Sequence, residues 1–273
     1  MNGKIAFVGG GNMAGALIGG LIADGFPAAS VAAAEIDAGR REQLELEFGI
    51  KVSAEVADVV PATDTIVLAV KPQQMRSVAS ALRSLLSQQL VISIAAGIRS
   101  DDLARWLGGY GRVVRVMPNT PALVRSGVSG LFARTEVSAA ERERAEAILN
   151  AVGETLWVDS DEMIDAVTAV SGSGPAYVFY FIEAVRQAAR EMGLPADAAQ
   201  RMVMGTFAGA IKLAQASSDD IGVLRERVTS KGGTTQCALA RMDSGGVAAL
   251  VSAAVHAARE RAAELGEEFG KAD

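Results

Sequence analysis

Residues able to do chemistry fall in a few short segments of this chain. Val8-Gly9-Gly10-Gly11-Asn12-Met13-Ala14 fits G-x-G-x-x-[GA], with Gly9, Gly11 and Ala14 at the fixed positions. The pattern alone is weak, but here it directly follows a short apolar strand and opens a helix, which is the context it needs. Gly9 permits the tight turn and Gly11 lets a pyrophosphate approach the backbone. Ala14 keeps helix and strand close, and the helix N-terminus offers free N–H groups to phosphates. An ordinary glycine-rich turn satisfies the spacing too; the position after the first strand of an alternating pattern favours a dinucleotide. Glu35 ends the second strand, 26 residues after Gly9. An acidic side chain there takes the ribose hydroxyls of NAD and repels a 2′-phosphate. Arg40 and Arg41 follow closely; they can either reach a 2′-phosphate or form a solvated helix face. On these residues NAD and NADP both stay open.

A second segment, Ser230-Lys231-Gly232-Gly233-Thr234-Thr235, places a glycine pair before a helix. Backbone N–H groups at such a positive end make an anion site. The plainer alternative is that Thr234 and Thr235 are N-caps. Ala95-Ala96-Gly97 follows the fourth strand, and Asn119-Thr120 the fifth; open α/β sheets bind ligands at these strand ends. Lys71-Pro72, after the third strand, reads as a loop whose backbone lines the cofactor. Ser173 looks like a nucleophile only if the single, distant histidine is ignored. Cys237 reads as a small buried thiol on a helix, and His256, among alanines on the last helix, as a packing residue or an interface contact.

Scarcity excludes much else. With one histidine and one cysteine, a two-histidine metal site and a disulfide framework cannot be built within one chain, and no metal is expected. The net charge of −6 disfavours nucleic acid as a partner. A single thiol fits a reducing, cytoplasmic compartment. Glycines and Asn12 break the amino-terminal apolar region, so it does not read as a signal peptide. No window of about 18 residues is apolar and uncharged, so no membrane span is expected.

The elements that must position these groups follow from hydrophobic period. Ile5–Val8, Val31–Ala34, Thr65–Val70, Leu90–Ile94 and Val113–Val116 read as strands, with further strands at Gly127–Ala133 and Leu156–Val158. Asn12–Ala23, Arg40–Phe48 and Met75–Leu86 read as helices between them. Ala139–Val152 is a helix opened by Ser138 and Glu141 at capping-box spacing. This alternation indicates a parallel sheet covered on both faces. From Asp161 onward the pattern is helical: Pro175–Met192, Ala196–Ala216, Asp219–Val228, Gly233–Met242 and Val247–Gly266. The expected fold is therefore α/β, a Rossmann-type dinucleotide-binding domain over residues 1–160 followed by an all-α domain over 161–273. Two helices, around Tyr177–Ile182 and Met202–Ala208, are apolar nearly all round, and such helices must be buried all round. The helical part alone gives them limited shielding, so residues 161–273 are expected to form an obligate homodimer.

Four segments go beyond fold grammar: Ala69-Val70-Lys71-Pro72, Met117-Pro118-Asn119-Thr120-Pro121, Ser171-Gly172-Ser173-Gly174-Pro175-Ala176-Tyr177, and Val228–Thr235. With the Gly9–Ala14 turn, and in this order, they resemble the Δ1-pyrroline-5-carboxylate reductase family, from about residue 4 to residue 266. The resemblance implies NAD(P)H-dependent reduction of a cyclic imine to L-proline, the last step of proline biosynthesis. It implies a helical domain that interlocks with its twin, as a dimer or a ring of five dimers. It also implies NADPH as cofactor. Glu35 departs from the small or polar residue the family has there, which leaves NADH as the alternative. Lys231 stands where the family's loop commonly carries proline and adds a positive charge.

By this resemblance the Thr235 hydroxyl meets the ring nitrogen. Ser230, Gly232, Gly233, Thr234 and Ser173 line the substrate, and Asp219 stands near the amine. Gly9–Met13, Phe7, Glu35, Ala69–Pro72, Ala96, Gly97 and Asn119 hold the cofactor. A substrate that is itself an imine needs neither metal nor covalent nucleophile, which argues against a Schiff base at Lys71. Two other readings stand beside this one. A β-hydroxyacid dehydrogenase on the same architecture needs a lysine in the helical domain, and Lys212, Lys231 and Lys271 stand in no such motif. A non-catalytic dinucleotide-binding protein has no use for the Ser230–Thr235 segment.

Overall fold

A computed structural model describes residues 3–271. The chain forms two compact units: residues up to Ser173 together with those from Ala257 onward, and residues 174–256. Each is described by itself.

In the first unit β1 (Ile5–Val8), α1 (Asn12–Ala23), β2 (Val31–Ala34), α2 (Ala38–Phe48), β3 (Lys51–Ser53), β4 (Thr65–Leu68), α3 (Pro72–Leu82), β5 (Leu90–Ser93), α4 (Ser100–Trp106), β6 (Val113–Met117), β7 (Gly127–Ala133), α5 (Ala139–Asn150), β8 (Gly153–Trp157) and α6 (Met163–Val167) follow in order. The eight strands form one sheet, β3-β2-β1-β4-β5-β6-β7-β8, parallel except between β6 and β7. Alternate residues of β1 enter different cores. Ile5 and Phe7 pack with Leu17, Leu44 and Ile148 on one face, whereas Ala6 and Val8 pack with Met75, Leu82 and Trp106 on the other. Strands buried on both faces read as unbroken apolar runs, and Thr65 to Leu68 shows this with every residue buried.

The structure corrects several boundaries. β4 stops at Leu68, short of Val70: the Ala69 N–H still pairs with Val8 O at 2.8 Å, and the chain then turns into α3, whose N-cap is Lys71. Pro72 is not loop: it occupies the first turn of α3, with Lys71 as N-cap, so the helix begins three residues before Met75. It ends at Leu82. Strand β3 and helix α4 lie outside the sequence expectation, and the antiparallel β6–β7 pair departs from an all-parallel sheet. The capping box at α5 is present, with Ser138 and Glu141 bonded reciprocally.

Arg115 on β6 is 2% exposed yet charged. Its guanidinium donates to Asp161 Oδ1 at 2.7 Å and Asp165 Oδ1 at 3.1 Å, tying the sheet to α6. A five-residue π-helical stretch, Thr168–Gly172, follows; such stretches often mark functional sites.

The second unit contains α7 (Gly174–Glu191), α8 (Ala196–Gln215), α9 (Ile221–Arg227), α10 (Thr234–Ser244) and the beginning of α11 (Val247–Lys271). Gly193, at φ +92°, closes the α7–α8 turn before Pro195. Its large apolar side chains stay on the surface of the single chain: Phe179 is 64% exposed, Tyr180 70% and Met202 58%. Among the described residues no single helix is long and apolar enough to cross a membrane.

Candidate active site

The sheet order places β1 beside β4, so the chain leaves the centre in opposite directions at this pair. Open α/β sheets bind ligands at the carboxyl ends of such strands. Val8 stands in register with Ala34 and Leu68, which brings the ends of β1, β2 and β4 level. A cleft of about 580 Å³ opens there, lined by Gly9, Gly11, Glu35–Asp37 and Ala69–Lys71 among others. Gly9 has φ +97°, and a Cβ on it would sit 2.7 Å from Ala69 O, so the turn needs glycine. A Cβ on Gly11 would meet nothing within 4 Å. The backbone at Gly11 is therefore open to a large group, and the residues fit a dinucleotide pyrophosphate. Ala14 is buried against the sheet, while Asn12 and Met13 form the first turn of α1. Phe7 is wholly buried beneath α1, so its contribution is packing behind the turn.

Glu35 does more than close a strand. Its Oε2 accepts the Gly10 N–H at 2.6 Å and its Oε1 the Asp37 N–H at 2.9 Å. Arg40 Nε donates to Gly10 O at 2.5 Å, so both polar atoms of Gly10 are held by side chains from the β2–α2 corner. Arg41 donates to the carbonyls of Glu35 and Ile36, both at 2.8 Å. The arginines thus brace the corner rather than forming a purely solvated face. The tie of Arg40 to the glycine turn was invisible in sequence, because it depends on how α2 folds back over Gly10.

Farther along the strand ends, Ala96 and Gly97 form a turn after β5, with Gly97 at φ +73°. Asn119 follows β6. Its side chain donates to Ser171 Oγ at 3.1 Å and accepts the Val128 N–H at 2.9 Å. That amide is committed to holding the π-helical stretch, and the Asn119 carbonyl accepts the Ala122 N–H at 3.1 Å. Ser173 ends the stretch, its N–H bonded to Thr168 O at 2.8 Å, and α7 begins at Gly174.

In the second unit the Ser230–Thr235 segment is organised by Gly232, at φ +74°, and by Gly233, which is the N-cap of α10. No side chain caps this helix, so Thr234 and Thr235 do not act as N-caps. The first intrahelical bond is Cys237 N–H to Gly233 O at 3.2 Å, and the amides of Thr234, Thr235 and Gln236 precede it. Gln236, which sequence reasoning passed over, accepts the Gly232 N–H at 2.6 Å and fixes the loop. Asp219 bonds to Arg227 and accepts the Ser217 hydroxyl at 3.1 Å. Cys237 and His256 are exposed in the single chain, not packed in a core.

Residues 161–265 match the family model of pyrroline-5-carboxylate reductase dimerisation, and residues 4–97 that of coenzyme F420-dependent NADP oxidoreductase. A pyrroline-5-carboxylate reductase of Pseudomonas aeruginosa is 48% identical over 98% of both chains. The chain belongs to the pyrroline-5-carboxylate reductase family. One from Arabidopsis thaliana is 36% identical, covering 97% of this chain and 96% of its own. Among solved structures, the reductase of Coxiella burnetii superposes with a TM-score of 0.93 at 38% identity, covering 97% of this chain and 99% of that one. The reductase of Plasmodium falciparum, solved with NADP bound, gives 0.87 at 28%, covering 97% and 98%. Membership in this reductase family gives the cleft at Gly9–Gly11 its cofactor class, and gives the exposed apolar helices of residues 174–256 a place within a dimerisation segment.

Proposed function

We propose that this protein reduces 1-pyrroline-5-carboxylate to L-proline with NADPH, NADH being the alternative cofactor, as the final step of proline biosynthesis. Full-length membership in the reductase family carries the reading, and the glycine turn at the β1–β4 switch point supports it. When bound, the nicotinamide supplies the hydride. The chain's own tasks are then to hold a carboxylate, orient a ring and support a proton on nitrogen.

The amides ahead of the α10 ladder suit the carboxylate, with Ser230, Gly232, Gly233 and Thr234 shaping the loop and Lys231 adding charge beside it. The Thr235 hydroxyl, left uncommitted by capping, hydrogen-bonds the ring nitrogen and is the group assigned to its proton. Ser173 and Asp219 complete the substrate contacts, Asp219 in company with Arg227. Gly9–Met13, Glu35, Ala69–Pro72, Ala96, Gly97 and Asn119 hold the cofactor, and Phe7 contributes through packing. Residues 161–273 serve as the dimerisation and substrate segment. The assembly is a homodimer that can close into a ring of five dimers. The compartment is the cytoplasm, in keeping with the single thiol. Steady-state rates with pyrroline-5-carboxylate and each cofactor test this; the expected result is turnover with at least one, and none with either overturns it.

A further inference from the structure

Helix α11 does not stop at Gly266 but runs to Lys271, and its residues from Ala257 onward belong to the first unit. Ala262, Leu265, Gly266, Phe269 and Gly270 recur at helical spacing and form one face. Phe269 joins the core that contains Val8, Leu68, Ala95 and Ile98. The contact falls on the turn after β5: a Cβ at Gly97 would lie 3.0 Å from the Phe269 ring and 3.3 Å from Leu265 Cβ.

Two glycines inside a helix are costly, about 1 kcal/mol each relative to alanine. Here close approach accounts for them. A Cβ at Gly266 would lie 2.9 Å from Arg99 Nε, and one at Gly270 would lie within 3.2 Å of both Asp102 carboxylate oxygens. Arg105 also donates to Gly270 O at 2.9 Å. Arg99, Asp102 and Arg105 all lie within eight residues of Gly97, on α4 or just before it. The helix end is thus seated on the Gly97 turn and on the helix that follows.

We propose that Phe269, backed by Leu265, is a positioning residue for hydride transfer: it holds the Ala95–Gly97 turn in place from behind. This rests on the reductase reading, which puts the nicotinamide at that turn. Phe269 touches neither cofactor nor substrate and acts through the Gly97 backbone. Its removal leaves the Gly9–Asp37 cleft intact but loosens the turn, and a misplacement of about 1 Å can cost up to about 100-fold in rate.

The test compares wild type, Phe269→Ala and Phe269→Leu as full-length protein. Measurements are kcat, cofactor KM, the isotope effect with cofactor deuterated at the transferred position, and mass by light scattering. Phe269→Ala is expected to lower kcat about tenfold or more and raise the isotope effect, with KM within about twofold and mass unchanged. Phe269→Leu, which refills much of the contact, is expected to recover most of kcat. Wild-type kcat and isotope effect in Phe269→Ala overturn the proposal. So does an equal loss in both variants that tracks a fall in melting temperature, since that marks a purely structural role. An inert wild type instead overturns the reductase reading, and this proposal with it.

Discussion

Glu35 carries two loads at once. Its carboxylate accepts the Gly10 and Asp37 amides, and it lines the cleft that the proposed function gives to the cofactor. A fixed negative charge there opposes a 2′-phosphate. Glu35→Ser removes the charge and loosens the glycine turn together, so kcat/KM is expected to fall with both cofactors. The ratio isolates the charge: NADPH over NADH is expected to rise about tenfold, or about 1.4 kcal/mol. An unchanged ratio in paired steady-state assays shows that Glu35 does not set the preference. Thr235 makes a cleaner case, because Gly233 occupies the N-cap position of α10 and no capping bond engages the Thr235 hydroxyl. Thr235→Ala is expected to lower kcat about 10- to 100-fold with unchanged cofactor affinity. Wild-type kinetics remove it from the reaction. The glycine turn before α1 and the glycine-led start of α10 were legible in sequence because each is a local backbone pattern. The hold of Arg40 and Glu35 on Gly10 was not, since it joins residues 25 to 30 positions apart.

Among the elements, α5 shows how a local signal becomes a measurable stability term. Glu141 at its third position is buried, which pushes its carboxyl pKa up. The Ser138 N–H and hydroxyl and the Arg112 guanidinium outweigh this and hold it below the ordinary glutamate value. A depressed folded-state pKa means stability that is complete above the unfolded pKa, near 4.3, and lost as pH falls through the lower folded value. Glu141→Gln is therefore expected to melt lower at neutral pH, with the gap to wild type narrowing in acid. A gap constant with pH refutes the ionic contribution. Ser138→Ala removes the reciprocal cap and is expected to cost about 1 kcal/mol by denaturant titration. The sequence showed this element because a capping box is a spacing rule. It hid β3, whose three residues begin with the exposed Lys51 and alternate too briefly to register. It also hid α4, a seven-residue helix whose first turn carries Asp101 and Asp102 and whose Trp106 is held by tertiary packing.

For the molecule as a whole, the largest debt left by a single chain is the apolar surface of residues 174–256. The all-round apolar helices were evident in sequence, and the structure leaves Phe179, Tyr180, Met202 and Leu250 on the surface rather than in a core. What sequence could not supply was the division of labour along α11, since helical period alone does not say that its last turns pack on the sheet unit. Burying one large apolar side chain contributes about 1.5–3 kcal/mol, so a partner covering several of them dominates the stability of this region. If folding and association are one event, stability depends on protein concentration. The melting temperature is expected to rise as the chain is concentrated, and light scattering to give a multiple of 28.2 kDa. A charge at the same surface separates association from folding of the sheet. Phe179→Asp lies outside the dinucleotide cleft, so cofactor binding by the first unit is expected to persist while mass falls toward the single chain and turnover is lost. A wild type that stays at monomer mass with a concentration-independent melting temperature refutes the homodimer. A Phe179→Asp variant that keeps full mass places the interface on other helix faces.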